Sequence, residues 1–173
     1  MIDPDMATHL AALQEQARLD GRRCVVGALI IQKGRVLVLR RSDDRSLFPG
    51  CWDIVGGHVE PGETLAAALE REVREETGWR LRRILDLVAV TDWETVHGDR
   101  VDRRREFDFL VAVDGDLSSP HLEAEKFSAA RWIGPRDLPE LRENRQPGDD
   151  LISRVVSQAL ALAERAAFPQ GDS

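Results

Sequence analysis

Residues 56–79 read GGHVEPGETLAAALEREVREETGW, and the fold is decided in this stretch. Glu60-Pro61-Gly62-Glu63 puts Pro and Gly at the two central places of a type II turn. A helix is predicted to follow over about 64–77 and to stop at Gly78, which suits the left-handed position after a helix end. On that helix Glu72, Glu75 and Glu76 stand at i, i+3 and i+4, within an arc of roughly 100°. Ala66, Leu69 and Val73 form an apolar stripe beside the arc, so the carboxylates flank the face that turns into the core. Like charges at that spacing repel, and a half-buried set of them is stable when a cation neutralises it. All-oxygen donors suit Mg²⁺, with Mn²⁺ as the alternative. The helix alone would equally suit a solvated face laced by Glu70–Arg74 and Arg71–Glu75 pairs.

Working outward, residues 23–31 read as a buried strand, Lys33-Gly34 as a turn and residues 35–41 as the hairpin partner. Residues 42–51 are rich in turn formers, and 52–56 is a short strand running into Gly56-Gly57. Beyond the helix, 80–93 and 104–113 alternate as two long strands joined by a polar stretch around His97-Gly98-Asp99. A short strand near 129–133 and an amphipathic helix over 148–168 complete the chain, and residues 169–173 are expected to be disordered. At the other end Asp3-Pro4-Asp5 starts a helix running to about residue 20, with Gly21 as its stop. The expectation is one α/β domain over 1–173, with 1–21 as an N-terminal helical extension that also offers a second copy a surface for a homodimer.

Composition bounds the function. A 173-residue chain can bury roughly 70% of its unfolded surface in a single core. Its net charge of −7 argues against coating nucleic acid, which needs a basic face. Of 24 basic residues 22 are Arg, the better fork for phosphate. Cys24 and Cys51 have no metal-ligand spacing, and one disulfide between them is left open. With no signal pattern and no apolar run of about 18 residues, a cytoplasmic protein with no membrane role is expected.

The window also carries a pattern beyond its helix. Gly57, five residues, Glu63, seven residues, then Arg71-Glu72-Val73-Arg74-Glu75-Glu76-Thr77-Gly78-Trp79 fills every fixed position of the Nudix box. Seven fixed residues at typical frequencies give a chance match on the order of one in 10⁶. The protein thus resembles the Nudix (MutT-like) hydrolases, with the box at residues 57–79. The resemblance implies an α/β/α sandwich around a mixed β-sheet. It implies that Glu72, Glu75, Glu76 and the Gly56 carbonyl hold a divalent metal, with Arg71 and Glu63 as the pair that ties the loop to the helix. Gly57, Glu63 and Gly78 have structural jobs. Catalytic roles fall to Glu75, Glu76 and Arg71, and to Glu125, seven residues before Trp132 in a segment (Ala130–Leu141) that resembles the close of the family domain. Glu94 is a second candidate base outside the box.

The implied reaction is water attack on phosphorus in a diphosphate linkage of a small phosphorylated substrate, a nucleoside diphosphate derivative such as a (d)NTP or an oxidised nucleotide. Arg40 and Arg45 are candidates for phosphate and Trp52, with Phe48 and Trp93, for a base. Arg41-Ser42 and Gly50 only partly keep a coenzyme A-type pattern, and the position where isopentenyl diphosphate isomerases need Cys is Gly56. A substrate of coenzyme A or isoprenoid diphosphate type, and a non-catalytic nucleotide sensor, are therefore the alternatives. A sensor usually loses box carboxylates, and here all three stand.

Overall fold

The structure, a computed structural model, describes residues 2–167. Its elements are α1 (Pro4–Leu19), β1 (Arg23–Gln32), β2 (Arg35–Arg41), β3 (Trp52–Asp53), β4 (Val55–His58), α2 (Leu65–Thr77), β5 (Arg80–His97), β6 (Arg100–Asp114), β7 (Phe127–Ile133), a 3-10 turn (Pro135–Arg142) and α3 (Leu151–Ala167). Local chemistry explains the ends. Asp3 caps α1 by accepting the Asp5 N–H at 2.8 Å, and Thr64 caps α2 by accepting the Ala67 N–H at 3.1 Å. Gly62 (φ +86°) and Gly78 (φ +73°) take the left-handed conformations that the turn and the helix end require.

β1 organises the sheet. Its Arg23–Ile30 stretch runs parallel to β6, its other edge pairs with β4 over Val25–Ala28, and its last residues form the hairpin with β2. β2 lies between β3 and β7, and β5 pairs antiparallel with β6 at the far edge. The result is a mixed sheet with helices on both faces, an α/β/α sandwich. Val26, Ala28 and Ile30 of β1 turn towards α1 and α2 with Phe107 and Phe109, whereas Leu29 packs with Val36, Val38 and α3 residues Ile152, Val155 and Val156. α2 has only 13 residues, too few to be stable alone. Fully burying Leu65 and Leu69, each worth about 1.5–3 kcal/mol, holds it on the sheet.

Two expectations are corrected, and one open question is closed. The polar stretch 94–103 is not a loop: β5 and β6 continue to His97 and Arg100 around a two-residue turn at Gly98-Asp99. Cross-strand partners such as Glu94 and Arg103 (3.3 Å) sustain the ladder where apolar alternation ends. The short strand 52–56 is two strands, because the chain changes partner from β2 to β1 at Ile54. Cys24 and Cys51 are both free thiols. The expected disorder of residues 169–173 concerns residues outside those described. Among the described residues no helix is long and apolar enough to cross a membrane.

Candidate active site

The loop and helix of residues 56–79 open onto a cavity of about 610 Å³. One wall carries Gly56, Gly57, His58, Glu60, Arg71, Glu72, Glu75 and Glu76, and the opposite wall carries Trp93, Glu94, Arg104 and Glu106.

Arg71 organises the first wall. Its Nε and Nη2 donate to the two carboxylate oxygens of Glu63 at 2.8 and 2.9 Å, and Nη2 also donates to the His58 carbonyl at 2.9 Å. This fork holds the Glu63 carboxyl at about 2, with help from the Glu60 N–H. Arg71 Nη1 donates to Glu72 Oε1 at 2.6 Å and to Glu75 Oε2 at 3.3 Å. Glu72 and Glu76 are only 6% and 3% exposed. Burial raises the proton affinity of both, with Arg71 opposing it at Glu72 and the Gly56 N–H, 2.9 Å from Glu76 Oε2, opposing it at Glu76.

The donor set fits a hard divalent cation. Three carboxylates and a main-chain carbonyl are all oxygen donors, and two of the carboxylates are buried with too little positive charge beside them. A cationic nitrogen, Arg71 Nη1, already stands between Glu72 and Glu75. Gly57 leaves room for the Glu72 carboxylate that any Cβ would fill. Among the described residues the acidic side chains do not converge on one point as placed, since Arg71 holds two of them and the Gly56 N–H the third.

The second wall is aromatic and charged. Trp93 Nε1 donates to Glu106 Oε2 at 2.8 Å, the Arg104 guanidinium lies 4.7 Å from the Trp93 ring, and Phe48 meets the ring edge-on at 6.2 Å. Phe48 sits in the left-handed region (φ +50°), an uncommon backbone for a bulky residue, with Arg145 5.5 Å from its ring. Behind this wall Glu106 and Asp108 share one face of β6, both are buried, and among the described residues neither Asp108 oxygen has a hydrogen-bond partner. Asp108 fits because it pairs with Gly27, where a Cβ would collide with its carboxyl. Burial raises both, Glu106 to about 7 and Asp108 well above the usual carboxylate range. Carboxyls raised in the folded protein contribute stability that is present below their unfolded values, near 4, and lost as pH rises towards 7 and beyond. Asp108→Asn is therefore expected to raise the melting temperature at pH 8 and leave it nearly unchanged at pH 4. Thermal unfolding at the two pH values checks this, and an equal shift at both would refute the raised proton affinity of Asp108.

The expected site residues divide. Gly56, Gly57, Arg71, Glu72, Glu75, Glu76, Arg45, Phe48, Trp93 and Glu94 all line the cavity. Glu63 and Gly78, expected to serve the loop and the helix end, lie outside the lining, and so do three residues expected to act on substrate or in catalysis. Trp52 is buried with Leu29 and α3, because the strand turns Asp53 rather than its indole to the cavity. Arg40 donates to the Gly50 carbonyl at 3.2 Å and so braces the 42–51 loop. Glu125 is exposed, because the turn closed by the Lys126 and Phe127 N–H groups on the Glu123 carbonyl carries Lys126 inward in its place. Lys126, Arg104, Glu106 and Arg145 line the cavity and come from elements far from the box. The run Arg103-Arg104-Arg105 and the alternation of Glu106 and Asp108 with Phe107 and Phe109 are the sequence signals for this strand, and no local signal marks Lys126 or Arg145.

Comparison with known proteins agrees with this geometry. The family model described as NUDIX domain matches residues 21–155. The nucleoside triphosphatase NudI of Escherichia coli K12 is 37% identical over 124 residues, covering 68% of this chain and 85% of that one. The crystal structure of a MutT NUDIX hydrolase from Burkholderia pseudomallei aligns with a TM-score of 0.61 at 28% identity, covering 79% of this chain and 97% of that one. The solution structure of the E. coli ORF135 protein aligns at 0.61 and 27%, covering 87% and 95%.

Proposed function

The chain belongs to the Nudix hydrolases, and on that premise we propose that it hydrolyses a phosphoanhydride of a nucleoside triphosphate, with Mg²⁺ as the metal and Mn²⁺ as a substitute. The carrying observation is the cavity itself, where buried box carboxylates face an aromatic and cationic wall across a space of about 610 Å³. The name of the E. coli relative, a nucleoside triphosphatase, supports the substrate class.

Glu72, Glu75, Glu76 and the Gly56 carbonyl would hold the metal. When bound, it neutralises phosphate oxygens and lowers the pKa of the attacking water. Arg71, fixed by Glu63 and the His58 carbonyl, keeps the box loop against α2. A box carboxylate takes the proton of the water that attacks phosphorus. Arg45 has no side-chain partner among the described residues and, with Lys126, supplies cations for the phosphate chain. Phe48 and Trp93 offer ring faces and edges to the base.

A panel of (d)NTPs with Mg²⁺, read for phosphate and pyrophosphate, tests the reading. Turnover should vanish with EDTA and return with Mg²⁺ or Mn²⁺. No turnover of any nucleotide in the panel would refute the substrate class. Mass spectrometry of products formed in H₂¹⁸O identifies the phosphorus attacked.

A further inference from the structure

The NUDIX domain match begins at residue 21, so α1 lies outside it. α1 is nevertheless built into the active site. Leu10 and Ala17, 4% and 0% exposed, anchor it in the core beside α2. From its half-buried face Gln14 Nε2 donates to the Glu63 carbonyl at 2.7 Å, and Gln14 Oε1 accepts the Leu65 N–H at 3.2 Å. One amide thus closes on both sides of Thr64. It grips the backbone of the residue whose carboxylate orients Arg71, and it satisfies the otherwise unpaired N–H of the first residue of α2. The end of the same segment grips the other wall. Asp20 accepts from Arg105 Nη1 at 2.6 Å, Arg105 is forked onto Asp92, and Arg22 pairs with Asp92 (3.0 Å) and Glu94 (3.7 Å) on either side of Trp93.

We infer that the N-terminal helix is a positioning strut of the metal loop, with Gln14 as its positioning residue. The inference rests on the proposed metal-dependent hydrolase. Gln14 sets the backbone of Glu63, Glu63 sets Arg71, and Arg71 sets Glu72 and Glu75. Partners outside the ligand shell commonly change metal affinity by about 10–100-fold.

The experiment measures Mn²⁺ binding by the full chain from the electron paramagnetic resonance signal of free Mn²⁺, together with hydrogen exchange of the loop and turnover at saturating metal. Gln14→Ala is expected to weaken Mn²⁺ binding by about tenfold, to speed exchange at the Leu65 amide, and to keep turnover at saturating metal within about twofold. Gln14→Met, which keeps length and loses both hydrogen bonds, should give the same shift and controls for a gap left by Ala. Glu15→Ala, on the same helix but away from the loop, should leave binding unchanged. Wild-type Mn²⁺ affinity in both Gln14 variants would overturn the strut, even if their melting temperatures fell. A wild-type protein that binds no Mn²⁺ and releases no phosphate would overturn the hydrolase reading itself.

Discussion

Glu76→Gln is expected to lower turnover by on the order of 10³-fold or more while the protein keeps its fold. A bound metal supplies several kcal/mol of transition-state stabilisation, at about 1.4 kcal/mol per decade of rate. Glu76 is 3% exposed, and its single hydrogen bond comes from the Gly56 N–H. Gln has the same shape and still offers an oxygen to that N–H, yet it cannot carry the charge. Removing a buried, under-neutralised carboxylate should also leave stability unchanged or raise it. Activity thus falls while the melting temperature does not, which separates a metal-holding role from a packing role. Glu75, 41% exposed and paired with Arg71 at 3.3 Å, contributes little to the fold, so Glu75→Gln should show a comparable loss of rate with no thermal shift. Glu70→Gln, on the exposed face of α2, is the control that should change nothing. The assay is pyrophosphate or phosphate release at saturating Mg²⁺ alongside thermal unfolding. A Glu76→Gln enzyme within tenfold of wild type would remove this residue from the mechanism.

Gly56→Ala and Gly57→Ala, one residue apart, should fail in different ways. Gly56 pairs with Gly27 across the β1–β4 ladder, and a Cβ there would press on the Val26 carbonyl. No side-chain rotation relieves a clash with backbone, so β1 and β4 must separate. Overpacking of this kind costs about 1–3 kcal/mol, which for a domain of this size lowers the melting temperature by about 2–12 °C. The three atoms nearest a Cβ at Gly57 all belong to the Glu72 carboxylate, the movable end of a side chain. Gly57→Ala should therefore melt within a few degrees of wild type but displace Glu72 from Arg71 and lose Mn²⁺ binding and turnover. Thermal unfolding and Mn²⁺ titration of both variants read the difference. A Gly57→Ala protein with wild-type Mn²⁺ affinity would show that the room beside Glu72 is not needed.

The parts of the site legible in the sequence are those set by near neighbours in the chain. The Glu60–Glu63 turn, the helix stop at Gly78 and the shared arc of Glu72, Glu75 and Glu76 depend on helix period and turn chemistry alone, and each is where the spacing puts it. The misplacements lie where side chains from different elements meet. Trp52 and Phe48 are both aromatic and four residues apart, yet one fills the core and the other lines the cavity, because the strand face and the loop's left-handed residue decide which way each points. A single turn carries Glu125 outward and brings Lys126, which had no expected role, to the cavity.

Taken alone, the sequence determined the family, the mixed α/β architecture and the box with its carboxylates, because these follow from periodicity and exact spacing. Only the tertiary structure decided which charges leave water. The alternation Glu106-Phe107-Asp108-Phe109 reads as a strand with one wet face, and α3 together with the Gly27 gap turns that face into an interior holding two buried carboxyls. The same packing brings Lys126, Arg104 and Arg145 to the cavity and lays α1 along the box loop. A local pattern specifies which residues share a face. What covers that face depends on residues tens of positions away, and burial then sets the charge, the proton affinity and the use of each group.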